Sequence, residues 1–424
     1  MRVFADLHIH SKYSRGTSTK MDIYHISEGA KKKGLNLLGT GDFTHPLWMK
    51  ELKQELSEVG NGIYVSKQGV NFILTVEVSN VFEKEGRIRK IHNLILAKDF
   101  EVAEQVIEIL SKYGDLKADG RPTLSLSCAE MVELLKTHVR DVEIIPAHIW
   151  TPWFSLFGSR SGFDSLKECF EEQSRKILAL ETGLSSDPAM NWRLSELDDY
   201  ALVSFSDSHS PNAWRLGREL CVFEIKELNF DAIVSALRKK DRKRFLFTVE
   251  VDPAYGKYHW DGHRKCGVCL PPKEAEKLGN VCPVCGKALT IGVLHRVEML
   301  ADREEGFVPK DAIPFKRLLP LYEVISHTLY KGKLYSKKAE ALEEKLIKAF
   351  GSELTVLLEV SKDELLNVCK NEKLVEAIML NREGKVKVIP GYDGVYGKPV
   401  FEENEFEEQK FISRGSQKSI DSFL

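Results

Sequence analysis

The run Asp6-Leu7-His8-Ile9-His10-Ser11 places two imidazoles two residues apart at the end of a short apolar stretch. Side chains alternate across a strand, so His8 and His10 share one face and can reach one transition-metal ion. Residues of matching chemistry recur far along the chain: Asp42, Glu77, His92, His148, Glu181, Asp207 and His209. Imidazole mixed with carboxylate suits zinc, manganese or iron better than magnesium, which prefers oxygen ligands. A carboxylate such as Glu77 has two oxygens and can bridge two ions. Paired ions serve phosphoester hydrolysis, one lowering the pKa of water and the other neutralising phosphate oxygens and the leaving alkoxide. A single histidine at a strand end is most often hydrogen-bonded structure, so the reading rests on the combination.

These residues need elements that bring them together. Strand-like runs are RVFADL, NLLGTGDF, NFILTVEV, HNLILA, VEIIPAH, ILALETG and ALVSFSDSH. Helical patterns lie between most of them: 22–33, 46–59, 100–113, 129–137, 164–176, 188–200 and 230–239. EKEGRIR reads as a hairpin or short loop between the third and fourth strands. Seven strands with intervening helices predict an α/β parallel barrel or open sheet, whose strand ends converge on one rim. We divide the chain into a metal-binding α/β unit over 1–240, a cysteine-rich unit over 241–294, a mixed and mainly helical unit over 295–405, and a tail over 406–424.

Two CxxC pairs, Cys266/Cys269 and Cys282/Cys285, stand twelve residues apart. Four thiolates at this spacing predict one tetrahedral structural zinc in a ribbon. The remaining cysteines are scattered and read as buried hydrophobes.

The stretch HIWTPWFSLFGSRSGF after His148 carries Trp150, Trp153 and Phe154, with Arg160 nearby. On a catalytic rim such aromatics could stack on a nucleic-acid base, or pack against the neighbouring units. In the tail, Gln417, Ile420, Phe423 and Leu424 follow an acidic stretch at spacing 0, 3, 6, 7, which predicts one helical turn with three apolar anchors. The formal net charge of −2 means that a nucleic acid would have to be met by a local basic patch. Charged residues at 29%, rich in Lys and Glu, lean towards a thermophile. No run approaches the ~20 apolar residues of a membrane span, and no signal pattern precedes Asp6, so a cytoplasmic protein without membrane contact is expected.

DLHIHS, TVEV, IHN, PAH and SFSDSH together resemble the polymerase-and-histidinol-phosphatase (PHP) superfamily over roughly residues 1–235. That resemblance implies a distorted (β/α)7 barrel holding two or three divalent metals, with zinc, manganese or magnesium serving in assay. It implies His8, His10, Glu77 and Asp207 around a first ion, Glu77, His92 and His148 around a second, and His209 at a third. The usual TDH motif is replaced by GTGDFTH, where Asp42 stands in for the histidine, with His45 as the second candidate. Barrel, cysteine ribbon and tail in this order resemble the endonuclease Q family, which is mainly archaeal. This implies a metal-dependent DNA repair endonuclease that cuts 5′ to a deaminated base (uracil, hypoxanthine, xanthine) or an abasic site, leaving 3′-hydroxyl and 5′-phosphate. It also implies damaged DNA and a sliding clamp of the PCNA type as partners, the clamp through Gln417, Ile420, Phe423 and Leu424. The alternatives are a 3′–5′ exonuclease, a phosphomonoesterase, and a non-enzymatic adaptor that binds damage.

Overall fold

A computed structural model describes residues 1–333 and 335–401. The strand Arg2–Asp6 is central, with Val3 and Ala5 fully buried. It pairs in parallel with Leu37–Gly39 and antiparallel with Leu220–Glu224. The helix Ile23–Lys33 links the first two strands. Asp22 caps its first turn by accepting from His25 N, three lysines occupy its last turn, and Gly34 ends it in the left-handed region. Leu37–Gly39 in turn pairs in parallel with the long strand Asn71–Lys84.

From there the direction reverses. Glu85 and Gly86, both at positive φ, turn Asn71–Lys84 back into Arg87–Ala97 as a two-residue hairpin. Arg87–Ala97 pairs antiparallel with Val142–Pro146. Leu178 N donates to Ile144 O and Ile149 N to Glu181 O, which sets Ala179–Glu181 alongside. Ala179–Glu181 pairs in parallel with Ala201–Val203, and a bridge between Ser208 and Ile9 returns to the end of the first strand. The ends carrying His8, His148, Glu181 and Asp207 therefore face one another.

Two expectations need correction. The sheet is mixed rather than parallel: besides the hairpin expected at EKEGRIR, Leu220–Glu224 runs antiparallel to the first strand and Val142–Pro146 antiparallel to Arg87–Ala97. The helix expected over 46–59 ends at Glu55, and Leu56–Gly60 forms a strand on Ile63–Ser66 through the positive-φ pair Asn61-Gly62. Asn-Gly is the dipeptide such turns favour.

Beyond residue 245, Phe245–Glu250 joins the large sheet and pairs with Phe315–Arg317. Five helices, from Leu321–Tyr330 to Glu372–Arg382, then enclose their own core around Tyr322, Leu346, Leu365, Leu374 and Ile378. No helix among the described residues is long and apolar enough to cross a membrane.

Candidate metal centre

His8 and His10 are fully buried, and each ring has one nitrogen engaged by protein. His8 Nδ1 lies 3.0 and 2.9 Å from the two Glu181 oxygens, and His10 Nδ1 lies 3.1 Å from Asp42 Oδ1. Their Nε2 atoms point the other way. They stand 3.6 and 3.2 Å from Glu77 Oε2, and 3.8 and 3.1 Å from Asp207 Oδ1. Glu77 Oε1 is 2.7 Å from His92 Nδ1 and 2.9 Å from His148 Nε2. His8, His10, Glu77 and Asp207 form one cluster with ligand atoms within 4.8 Å of one another, and Glu77, His92 and His148 form a second. Both Nε2 atoms and Asp207 Oδ1 are buried without a hydrogen-bond partner among the described residues. Native interiors seldom tolerate this. Three such atoms converging on a carboxylate fit the donor set of divalent ions.

The electrostatics agree. Burial would lower the His8 pKa, yet Glu181 and Glu77 hold it well above the ordinary histidine value. His92 is pushed down to about 4 by burial despite Glu77. Burial opposes ionisation of Glu77, but His92, His8 and Arg121 keep it well below the usual carboxylate range. Three residues of the centre, Asp42, His148 and Asp207, have φ of 49°, 32° and 48°. Backbone strain of this kind collects at functional sites. Room for the centre comes partly from Gly41, where a Cβ would stand 2.3 Å from Ile9 O.

Several expected residues take other places. Asp42 lies behind His10 instead of joining either cluster. Its second oxygen accepts from Ser11 N and Ser11 Oγ at 2.6 Å and from Ser14 Oγ at 3.0 Å, so protein donors occupy it. His209, expected at a third ion and so in neither cluster, has its ring 4.5 Å from that of His10 and its Nδ1 2.9 Å from the Asp207 carbonyl. Trp150 is 1% exposed and closed off from any base: it packs on Phe157 and its indole N–H donates to Asn191 Oδ1. The tail residues Gln417, Ile420, Phe423 and Leu424 lie outside the described residues.

The cysteine site is also rearranged. His263, Cys266, Cys282 and Cys285 gather, with His263 Nδ1 3.5 Å from Cys285 Sγ, while Cys269 stands apart. In the hairpin of Asp261–His263 and Val268–Leu270, Cys269 pairs with Gly262 and so faces away from His263. Tyr392 lies on that face. Each knuckle closes on a left-handed glycine after its second ligand, Gly267 at φ 67° and Gly286 at φ 72°. The repeated unit is thus His263-x-x-Cys266-Gly and Cys282-x-x-Cys285-Gly. The glycine after Cys266 is the signal that finds it.

Beside the centre lies an aromatic and cationic surface. The Phe154 ring is 4.8 Å from the His92 ring, with Lys90 Nζ 5.3 Å from its centroid. Trp153, 43% exposed, meets Tyr258 edge-on at 5.7 Å. Lys257 Nζ lies over both Tyr258 and Tyr396, at 5.7 and 5.6 Å. Arg160 is exposed nearby in sequence. The loop is held from behind by Arg296, whose Nε and Nη2 donate to the carbonyls of Phe157 and Phe163, each at 3.0 Å. One further residue of the centre carried no mark in the sequence: Arg121, 3.1 Å from Glu77 Oε2. Glu181, marked at the end of its strand but given no metal role, is the partner of His8.

A family model, the MJ0043 C-terminal domain, matches residues 320–385. The chain is 37% identical over 263 residues to protein MJ0043 of Methanocaldococcus jannaschii, a match covering 61% of this chain and 32% of that much longer protein. It is 28% identical to YqxK of Bacillus subtilis over 94% of this chain and 99% of that one. Among solved structures it resembles the lesion-specific endonuclease PfuEndoQ from Pyrococcus furiosus, with a TM-score of 0.86 and 35% identity over 96% of this chain and 97% of that one. It also resembles endonuclease Q in complex with a 27-mer duplex bearing an abasic lesion at the active site, with a TM-score of 0.84 and 35% identity over 95% and 98% of the two chains.

Proposed function

Because the chain belongs to the endonuclease Q family, we propose that it is a metal-dependent endonuclease acting on damaged DNA. It cuts the phosphodiester 5′ to a deaminated base (uracil, hypoxanthine or xanthine) or an abasic site and leaves a 3′-hydroxyl and a 5′-phosphate. The observation that carries this reading is Glu77, whose two oxygens each face a separate ligand cluster. His8, His10, Glu77 and Asp207 would hold one ion, and Glu77, His92 and His148 the other. When bound, the ions supply Lewis acidity towards the phosphate and a water of lowered pKa.

The chain does the rest. Glu181 and Asp42 fix the ring orientations of His8 and His10, so that both Nε2 atoms stay available. His209, a third of its side chain exposed, stands at the opening beside Asp207, where a third ion would sit. Trp153 and Phe154 offer ring faces to an unstacked base, and Lys257 and Lys90 offer charge to the backbone. Turning out a mispaired base costs less than turning out a paired one, which selects the lesion before any hydrogen bond is read. The ring of strand contacts in the first 240 residues reads as a distorted (β/α)7 barrel. The ribbon of 241–294 holds one structural zinc, the unit over 295–405 braces the aromatic loop, and the tail docks on a sliding clamp.

The test is one incubation of end-labelled duplexes carrying a single uracil, a single abasic site or no damage, with and without chelator. One internal nick at the lesion, abolished by chelator, is expected. A ladder from the 3′ end would make the protein an exonuclease. Lesion binding without any cut under zinc, manganese or magnesium would make it an adaptor.

A further inference from the structure

The segment 115–122 closes over the centre and is held from both sides. Gly120 N donates to Tyr13 O at 3.1 Å, and a Cβ on Gly120 would stand 2.4 Å from Asp42 Oδ2. Ser79 N donates to Pro122 O at 2.9 Å, and Thr123–Leu124 then pairs with Ser79 and Asn80. Arg121 lies between these anchors, its own N–H held by Asp119 Oδ1 at 3.1 Å. Its guanidinium reaches Glu77 Oε2, the oxygen that faces His8 and His10. Among the described residues this is the one hydrogen bond its side chain makes to protein, and 27% of that side chain remains exposed. A guanidinium has five N–H donors, so most of them are left for the opening.

An arginine here is not needed to balance the ligands. Two divalent ions outweigh the carboxylates of Glu77 and Asp207, and Asp42 and Glu181 already face His10 and His8. Its one carboxylate partner, Glu77, would be shared with both ions, so much of the guanidinium's charge is left for an anion in the opening. Resting on the phosphodiester reading above, we infer that Arg121 is a catalytic residue that binds a non-bridging oxygen of the scissile phosphate at the metal centre. Its planar fork suits a phosphate and steadies the charge that grows on those oxygens during cleavage.

The experiment compares the parent protein with Arg121→Gln and Arg121→Lys, each loaded with manganese and checked for metal content and thermal melting. Inorganic phosphate is titrated by calorimetry, and a single-uracil duplex is cut under single-turnover conditions. Arg121→Gln is expected to bind phosphate about 10-fold more weakly and cut about 100-fold more slowly, with metal content unchanged. Arg121→Lys, which keeps the charge but not the fork, should fall between, and it answers the question if the glutamine variant does not fold. Phosphate binding within twofold of the parent in both variants, or loss of metal from Arg121→Gln, overturns the inference. The latter would mean that Arg121 only holds Glu77. A parent protein that binds phosphate through Arg121 but nicks no lesion-bearing duplex would overturn the endonuclease reading and with it the catalytic role, leaving Arg121 as a phosphate-binding residue of the centre.

Discussion

Glu181 controls the centre without touching the space between the clusters. Both its oxygens meet His8 Nδ1, and Oε2 also accepts the His148 N–H at 3.2 Å. It thus holds one residue of each cluster. A carboxylate in this position fixes the ring and raises the basicity of the opposite nitrogen. Glu181→Gln keeps the shape but removes the charge and one acceptor. We expect metal affinity to fall about 10–100-fold with the fold intact, measured by competition with a chromophoric chelator. Affinity equal to that of the parent would reduce Glu181 to packing. The sequence made His8, His10, Glu77, His92, His148 and Asp207 legible because strand ends in an α/β fold converge. It did not separate an acid facing the ions from one behind a histidine, since Asp42 and Glu77 are chemically alike and only their neighbours distinguish them. Arg121 was illegible because its loop has no periodicity to place it.

At the scale of elements, local turn chemistry overrode the simpler pattern. The two CxxC pairs suggested a site of four cysteines, but strand alternation turns Cys269 away and brings in His263. A metal held there would have three thiolates and the His263 ring in place of the fourth. His263→Ala should lose the structural zinc and with it the ordered ribbon, whereas Cys269→Ser should keep one zinc per chain in the ribbon. Zinc content of the two purified variants, after mild chelation to strip any ion from the His8–Glu77 centre, gives the answer, and zinc lost from Cys269→Ser alone would restore the set of four cysteines. The same lesson applies to Leu56–Gly60, where the Asn61-Gly62 turn defeats a helix that the apolar spacing favoured. Helices with clear caps were legible. Ile23–Lys33, Phe100–Leu110 and Phe230–Arg238 start within a residue of where their pattern begins, each behind an Asp or Asn that accepts from the first turn.

Across the whole molecule, the first unit and the helical unit meet at a buried charge cluster that no local pattern announces. Lys33 ends a turn with three lysines, yet it is 2% exposed and pairs with Glu353 Oε1 at 2.7 Å. The same oxygen accepts from Leu321 N at 3.0 Å, which joins two helices of the later unit to the first. Glu343 adds a second buried acid, and its Oε1 and Glu353 Oε2 have no hydrogen-bond partner among the described residues. Burial, with the Glu353 charge adding to it, pushes the Glu343 pKa up to about 8. In an unfolded chain a glutamate titrates near ~4.3. Between those values the folded chain holds a proton that the unfolded chain has released, so this group's contribution to stability falls as pH rises through the window. Glu343→Gln removes the titration and keeps the shape. At pH 4, below the unfolded value, parent and variant should melt alike. At pH 8.5 the variant should be more stable by on the order of 2 kcal/mol, seen as a higher Tm in thermal scans. A Tm difference independent of pH would mean that Glu343 does not titrate at this junction, and that Lys33 alone answers the charge of Glu353.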